Sequence, residues 1–124
     1  MSFQDQLSVV LKSVEGAIAC SLMGFDGVAV DTARVPSLEG QARSLDIETA
    51  WIEFGNVLGQ LKTVSEPLKT GAIHEVSVNS ENVLTLMRMV TQEYFVVLAL
   101  LPTGNYGKAR YALRLAAPKL KAEL

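Results

Sequence analysis

Residues 94–101 form an unbroken apolar run, and this run constrains the fold more than any other part of the sequence. A strand with one solvated face alternates apolar and polar side chains, whereas a continuously apolar strand is typical of the middle of a sheet that is covered on both sides. Two further strands, predicted at 72–78 and 83–90, precede it across short turns. Strands joined by such short turns pair antiparallel, so an antiparallel sheet with helices packed on it is expected.

The remaining segments complete this sheet and supply its helices. Apolar residues recur at helical spacing over 3–14, 45–66 and 106–123. Two more strands, at 17–23 and 28–32, flank a Gly-Phe-Asp-Gly turn whose Asp-Gly step favours a tight hairpin. Residues 33–44 show little periodicity and are expected to form a loop. The predicted order is α-β-β-α-β-β-β-α, an α/β (α+β) fold with a five-stranded antiparallel sheet.

Length and composition predict a single domain, residues 1–124. The chain has 124 residues, of which 49% are hydrophobic, enough for one core but not for two. A formal net charge of −2 gives no general reason to expect nucleic acid or an anionic membrane as a partner. Residues 1–11 lack the pattern of a secretory signal, and the longest apolar run is too short to insert into a membrane. Because a single Cys20 also suits a reducing compartment, a cytoplasmic location is expected.

The sequence offers no arrangement that is typical of an enzyme. His74 is the single histidine and lies within a predicted strand, and Cys20 lies within an apolar strand, so both are interpreted as structural residues. Asp26 and Asp31 flank one hairpin strand, and residues 104–108 lack the spacing of a phosphate-binding loop. We therefore predict no catalytic residue, no metal site and no cofactor.

The long predicted helix has features that suggest self-association. Trp51 and Phe54 lie on an apolar stripe that is broader than one five-stranded sheet requires. Gly55 and Gly59 lie four residues apart and share one face, although each glycine inside a helix costs about 1 kcal/mol relative to alanine. We interpret the pair as a place where another backbone approaches closely; coincidence is the alternative.

Basic charge is concentrated at the end of the sequence. Residues 103–124 contain five basic residues and one acidic residue, whereas the rest of the chain contains six basic and twelve acidic residues. This distribution suggests a basic surface that meets an acidic partner or another subunit. A helix face that is merely solvated is the alternative.

The tip of the predicted hairpin is the candidate partner-binding site. The turn places the Phe25 ring where it has little core to cover, beside the Asp26 carboxylate and next to Val28, which begins the following strand. An aromatic anchor beside a charge is typical of interface hot spots. The alternative is that the ring folds back onto the sheet.

In their order along the chain, these segments resemble the roadblock/dynein light-chain family over nearly the whole sequence. The resemblance rests on Ala-Ile-Ala-Cys-Ser-Leu-Met at 17–23, Phe-Asp-Gly-Val-Ala-Val at 25–30, the long helix, and Asn-Tyr-Gly-Lys-Ala-Arg at 105–110. It is strongest to small bacterial members that are linked to Ras-like GTPase control of cell polarity and gliding motility. Pro118, which is expected to interrupt the last helix, departs from the family pattern.

The resemblance implies a homodimer in which the long helices, 45–66, pack together and the third strands, 72–78, pair to join two sheets. The residues expected at this interface are Trp51, Phe54, Gly55, Leu58, Gly59, His74 and Val76. The resemblance also implies a non-enzymatic adaptor that is cytoplasmic and recruited to a cell pole. Its implied partners are a paralogous roadblock protein, a Ras-like GTPase or a response-regulator-like polarity protein.

Two other functions stay open at this point. A direct regulator of GTP hydrolysis or nucleotide exchange would need an exposed, ordered arginine, for which the predicted loop offers Arg34 and Arg43. A ligand-sensing domain of similar outline would need an internal cavity.

Overall fold

The computed structural model describes residues 1–36 and 46–124. Most of the predicted loop, with Arg43, and the predicted first residue of the long helix, Leu45, lie outside these ranges. The described helices are α1 (Phe3–Ser13), α2 (Ile47–Leu68) and α3 (Tyr106–Ala122). The described strands are β1 (Ala17–Gly24), β2 (Ala29–Arg34), β3 (Glu75–Asn79), β4 (Leu84–Met89) and β5 (Tyr94–Leu100). The predicted order of elements is confirmed.

The strands form one antiparallel sheet in the order β2-β1-β5-β4-β3. The apolar strand β5 lies at its centre, where Leu98 pairs with Cys20 of β1 on one side and with Leu86 of β4 on the other. Every residue of β5 after Tyr94 is buried. The expectation of a central strand with cover on both faces is therefore confirmed.

Helices cover both faces of this sheet. The helices α1 and α3 share one face, in a cluster that includes Leu7, Leu22, Val96, Leu98, Leu113 and Leu120. On the other face, α2 places Trp51 and Leu58 in a cluster with Met87, Phe95 and Val97. Within the described ranges, one face of the sheet thus packs against two helices and the other against a single helix.

The bounds of two strands differ from the predicted ones by two residues or more, and those of the other three differ by a single residue at one or both ends. The third strand begins at Glu75 rather than at residue 72, because its pairing with β4 starts at the Glu75–Arg88 pair and β4 ends one residue later. The second strand extends to Arg34, which pairs with Ala19 and so lies in the sheet rather than in the predicted loop. Both differences arise because the partner strand determines how far each strand is paired. The local sequence pattern of a strand carries no information on the length of its partner.

Two prolines lie inside helices, each near the C-terminal end. Pro67 is the penultimate residue of α2, which ends at Leu68 with Lys69 in a left-handed conformation. Pro118 does not interrupt α3, which continues to Ala122. The hydrogen bond that a proline cannot donate would go to the carbonyl of Arg114, and both residues are exposed. Water can therefore satisfy that carbonyl, and the prediction of an interrupted helix is wrong.

Candidate partner-binding surface

The tip of the β1–β2 hairpin is held by hydrogen bonds within the turn. The Gly27 amide donates to the Gly24 carbonyl at 3.1 Å, and the Val28 amide donates to Asp26 Oδ1 at 3.0 Å. Gly27 has a φ of +88°, a conformation that side chains rarely adopt. The Asp26 carboxylate thus stabilises the turn and remains exposed, and Val28 is 63% exposed.

The Phe25 ring is half-buried between the sheet and α2. Its centroid lies 5.0 Å from that of Phe95, with the ring planes tilted by 45°. The Lys62 ammonium lies 4.3 Å from the centroid of the Phe25 ring, a cation–π geometry, and also donates to the Gln92 carbonyl at 2.8 Å. The ring therefore folds back onto the sheet, which was the alternative interpretation of the sequence.

The glycine pair of α2 makes room for these two aromatic rings. A Cβ atom on Gly55 would lie 2.8 Å from Phe95 Cζ, whereas a Cβ atom on Gly59 would lie 3.7 Å from Phe25 Cδ1. The face that both glycines share is thus packed on aromatic side chains of the same chain. The approach of a second backbone to this pair stays a prediction.

The residues predicted at a dimer interface fall into two groups. Trp51, Gly55 and Leu58 are buried within one chain, on the side of α2 that faces the sheet. Phe54, Gly59 and Val76 are half-buried, and His74, which precedes β3, is exposed. The first group therefore holds α2 on its own sheet, and only the second group has surface to offer a partner.

A line of exposed aliphatic side chains follows another side of α2. Val57, Leu61, Val64 and Leu68 have exposed fractions of 49%, 37%, 56% and 65%. Their spacing of three and four residues places them in one row along the helix, which we call the aliphatic row. The signal for this row in the sequence is the width of the apolar stripe, which exceeds what one five-stranded sheet requires.

The two edge strands of the sheet differ in their accessibility. Within residues 1–36 and 46–124, β3 is paired with β4 alone. The other edge strand, β2, is distorted by a bulge opposite Leu22 and Met23 and is contacted by α1. Bulges and covering helices are devices that keep edge strands from pairing. The edge of β3 is therefore the better candidate for pairing with another chain.

An ion pair fixes β3 to α3. Glu75 Oε2 accepts from Arg110 Nε at 3.0 Å, and Glu75 Oε1 accepts from Arg110 Nη2 at 2.8 Å, a bidentate geometry. Arg88 Nη1 lies 3.5 Å from Glu75 Oε1. The hydrogen bond from Arg110 is the main reason that the pKa of Glu75 is lowered.

Side chains with catalytic potential are held in structural roles. Burial raises the pKa of the Cys20 thiol to about 12, so the thiol stays protonated. Arg34 forms an ion pair with Glu48 of α2. Among the described residues, no group of three or more His, Cys, Asp and Glu side chains could hold a metal ion. In the same part of the chain, no helix has the length and apolar character needed to span a membrane.

Solved structures resemble this chain over nearly its full length. MglC from Myxococcus xanthus is 54% identical, with all of both chains covered and a TM-score of 0.71. The gliding protein MglB from Thermus thermophilus is 14% identical, with 95% of this chain and 84% of that chain covered and a TM-score of 0.80. A roadblock/LC7 domain from Streptomyces avermitilis is 8% identical, with 99% and 98% covered and a TM-score of 0.80.

The level of identity decides what each similarity shows. At 54% identity over both complete chains, the similarity to MglC shows the family. At 14% and 8% identity, the other two similarities show the fold alone. No protein-family model matches the sequence, and no curated protein is significantly similar to it.

Proposed function

Because this chain belongs to the roadblock/LC7 family, in its MglB-like branch, we propose that it is a non-enzymatic, dimeric adaptor in a bacterial Ras-like GTPase module for cell polarity and gliding motility. It acts in the cytoplasm by binding a paralogous roadblock protein or another polarity protein, which recruits it to a cell pole. The observation that carries the adaptor role is the exposed aliphatic row on α2, a surface suited to protein contact, together with the edge of β3 that is unpaired among the described residues.

The homodimer forms through this surface. The aliphatic rows of two α2 helices pack together, and two β3 strands pair at their free edges, so that two five-stranded sheets become one. Phe54, Gly59, His74 and Val76 lie at or near the interface. Trp51, Gly55 and Leu58 contribute indirectly, because they fix the position of α2 on its own sheet.

The hairpin tip binds the paralogous roadblock protein. Val28 and the Asp26 carboxylate form the exposed contact, and Ile52 of α2 adds apolar surface beside them, since its Cγ2 lies 3.7 Å from where a Cβ atom on Gly27 would be. Phe25 supports the tip from below through Phe95. The sequence analysis missed Ile52 because it lies off the main apolar stripe of its helix.

Calorimetric titration of the chain with its paralogous roadblock protein tests the hairpin site. Asp26→Asn keeps an oxygen that can accept from the Val28 amide but removes the charge, so the turn persists while the affinity falls by about fivefold to tenfold. Phe25→Ala should keep the fold and the homodimer and also weaken binding. Val28→Ser should weaken binding too, whereas Val30→Ser, in β2 at 40% exposure, is the matched control and should leave the affinity unchanged.

The possible outcomes separate a binding site from a structural turn. Wild-type affinity in both Phe25→Ala and Asp26→Asn would refute the site, and so would unfolding of either variant. Following phosphate release and nucleotide exchange on the GTPase in the same titration tests the adaptor role itself. If this chain alone accelerated either reaction, its function would be that of a direct GTPase regulator and not that of an adaptor.

A further inference from the structure

A second apolar surface lies on the opposite face of the sheet, between α1 and α3. It is a groove of about 290 Å³ lined by Gln6, Val9, Lys108, Tyr111, Leu115 and Lys119, among others. Val9, Tyr111 and Leu115 have exposed fractions of 55%, 60% and 47%. Single exposed apolar side chains are ordinary, but a contiguous apolar patch in a groove marks a binding surface.

The exposed rim of the groove is not part of the core that holds the two helices on the sheet. Other residues of the same helices do that, including Leu7, Leu113 and Leu120, each at most 2% exposed. Tyr111 and Leu115 lie four residues apart on α3 and so form a separate row on its outer side. The exposed row is therefore additional to what folding requires.

Charge at the groove is of one sign. Lys108 and Lys119 both line it, and none of the acidic residues that the structure describes does. Within the described residues, neither lysine forms an ion pair with a carboxylate. The two lysines are eleven residues apart on one helix, about 16 Å along its axis, so they flank Tyr111 and Leu115 at either end.

Two further observations indicate that the groove lacks a partner. The first turn of α3 carries Lys108 and no acidic residue, which is unfavourable beside the positive end of a helix dipole. Gln6 is 7% exposed, and although its amide nitrogen donates to the Met1 carbonyl at 3.2 Å, its Oε1 has no hydrogen-bond partner among the described residues. An occupant with a hydroxyl or amide donor could supply the missing hydrogen bond.

We propose that this groove binds an amphipathic helix of another protein whose apolar face is flanked at both ends by acidic residues. The apolar face packs on Val9, Tyr111 and Leu115, and the acidic residues pair with Lys108 and Lys119. Such a partner would explain why basic residues are concentrated in the C-terminal segment. The proposed function does not explain that concentration. Binding in the groove does not depend on that function, because α2 and the groove lie on opposite faces of the sheet.

A pair of synthetic peptides tests the proposal on the full chain by fluorescence anisotropy. The first is a helix of about 16 residues with leucines on one face and two glutamates at each end; the second replaces the glutamates with lysines. We expect the acidic peptide to bind at micromolar concentration and the basic peptide to bind at least about tenfold more weakly. Lys108→Glu combined with Lys119→Glu should reverse this preference.

Matched controls separate the groove from general electrostatics. Lys12→Glu combined with Lys121→Glu makes the same change in net charge on the two helices that form the groove, but neither residue lines it. It should leave the preference for the acidic peptide unchanged, whereas Tyr111→Ser or Leu115→Ser should weaken its binding at least about tenfold.

Three outcomes would overturn the proposal. The first is no saturable binding of the acidic peptide up to about 1 mM. The second is an equal response to the groove and control charge reversals. The third is tighter binding of a proline-rich peptide than of the acidic helix, since that would assign the groove to an extended ligand instead.

Discussion

One side of α2 is covered by its own chain, and another side is left exposed. Trp51, Gly55 and Leu58 are buried against the sheet, whereas the aliphatic row that begins at Val57 and ends at Leu68 reaches solvent. Substitutions on the covered side should therefore change the free energy of unfolding of each chain. Substitutions on the exposed side should change how two chains meet and leave the fold of each chain intact.

The largest effect is expected on the covered side. Trp51 is 2% exposed, so Trp51→Ala leaves a large cavity and should lower the free energy of unfolding by about 3–5 kcal/mol. Urea denaturation at equal protomer concentration measures the change. Ile52→Ala, at the next position and 38% exposed, is the control and should cost less than about 1 kcal/mol. Equal losses in the two variants would contradict the assignment of sides.

The exposed side should control the oligomeric state. Wild-type protein is expected to scatter light as a dimer of twice 13.4 kDa. Val57→Glu combined with Val64→Glu places like charges in the aliphatic row and should give a monomer of 13.4 kDa with unchanged helical content. Asn56→Glu combined with Thr63→Glu, two exposed positions of α2 that lie off the aliphatic row, should stay dimeric. A monomeric wild type, or a dimeric Val57/Val64 variant, would rule out this interface.

The glycine pair sharpens the comparison within a single helix. Gly55→Ala brings Cβ to 2.8 Å from the buried ring of Phe95, so the ring must shift, and we expect a loss of about 1–3 kcal/mol. Gly59→Ala meets Phe25 at an ordinary distance of 3.7 Å and should gain up to about 1 kcal/mol from helix propensity. Thermal unfolding of both variants checks the opposite signs. If both substitutions lowered the stability, Gly59 would be packed as tightly as Gly55, which would contradict the expected difference.

The order of elements could be predicted from the sequence because hydrophobic periodicity distinguishes helices from strands. The apolar run of β5 and the helical spacing around Trp51 are local patterns, and burial followed them. The division of α2 into two sides could not be predicted in the same way. It depends on Phe25, in the β1–β2 turn, and on Phe95, in β5, which are far from α2 in sequence and pack over Gly59 and Gly55.

The residues of the candidate site could be predicted from the sequence, but their positions relative to one another could not. The turn residues identified the hairpin, yet the position of the Phe25 ring depends on Lys62 and Phe95, which no local pattern connects to it. In the same way, the basic excess near the end of the chain was visible in the sequence. Only the packing of α3 against α1 shows that Lys108 and Lys119 line a groove while Arg110 turns toward Glu75.

The smallest effect concerns β3, the edge strand proposed to pair in the dimer. Its ion pair with Arg110 lowers the pKa of Glu75 below the ordinary value of 4.5, so the unfolded chain binds a proton at a higher pH than the folded chain does. The pair therefore stabilises the fold above that ordinary pKa, and the stabilisation is lost as the pH falls through the lowered pKa. Because the side chains of Glu75 and Arg110 are 31% and 51% exposed, we expect only about 0.2–1 kcal/mol.

Urea denaturation of Glu75→Gln and wild type at about pH 7 and about pH 3.5 measures this contribution. The two proteins should differ by a few tenths of a kcal/mol at the higher pH and by less at the lower one. Glu81→Gln, in the turn after β3, removes the same charge without this ion pair and should give a smaller difference at about pH 7. A difference for Glu75→Gln that persisted unchanged at low pH would mean that shape, rather than charge, fixes β3 to α3.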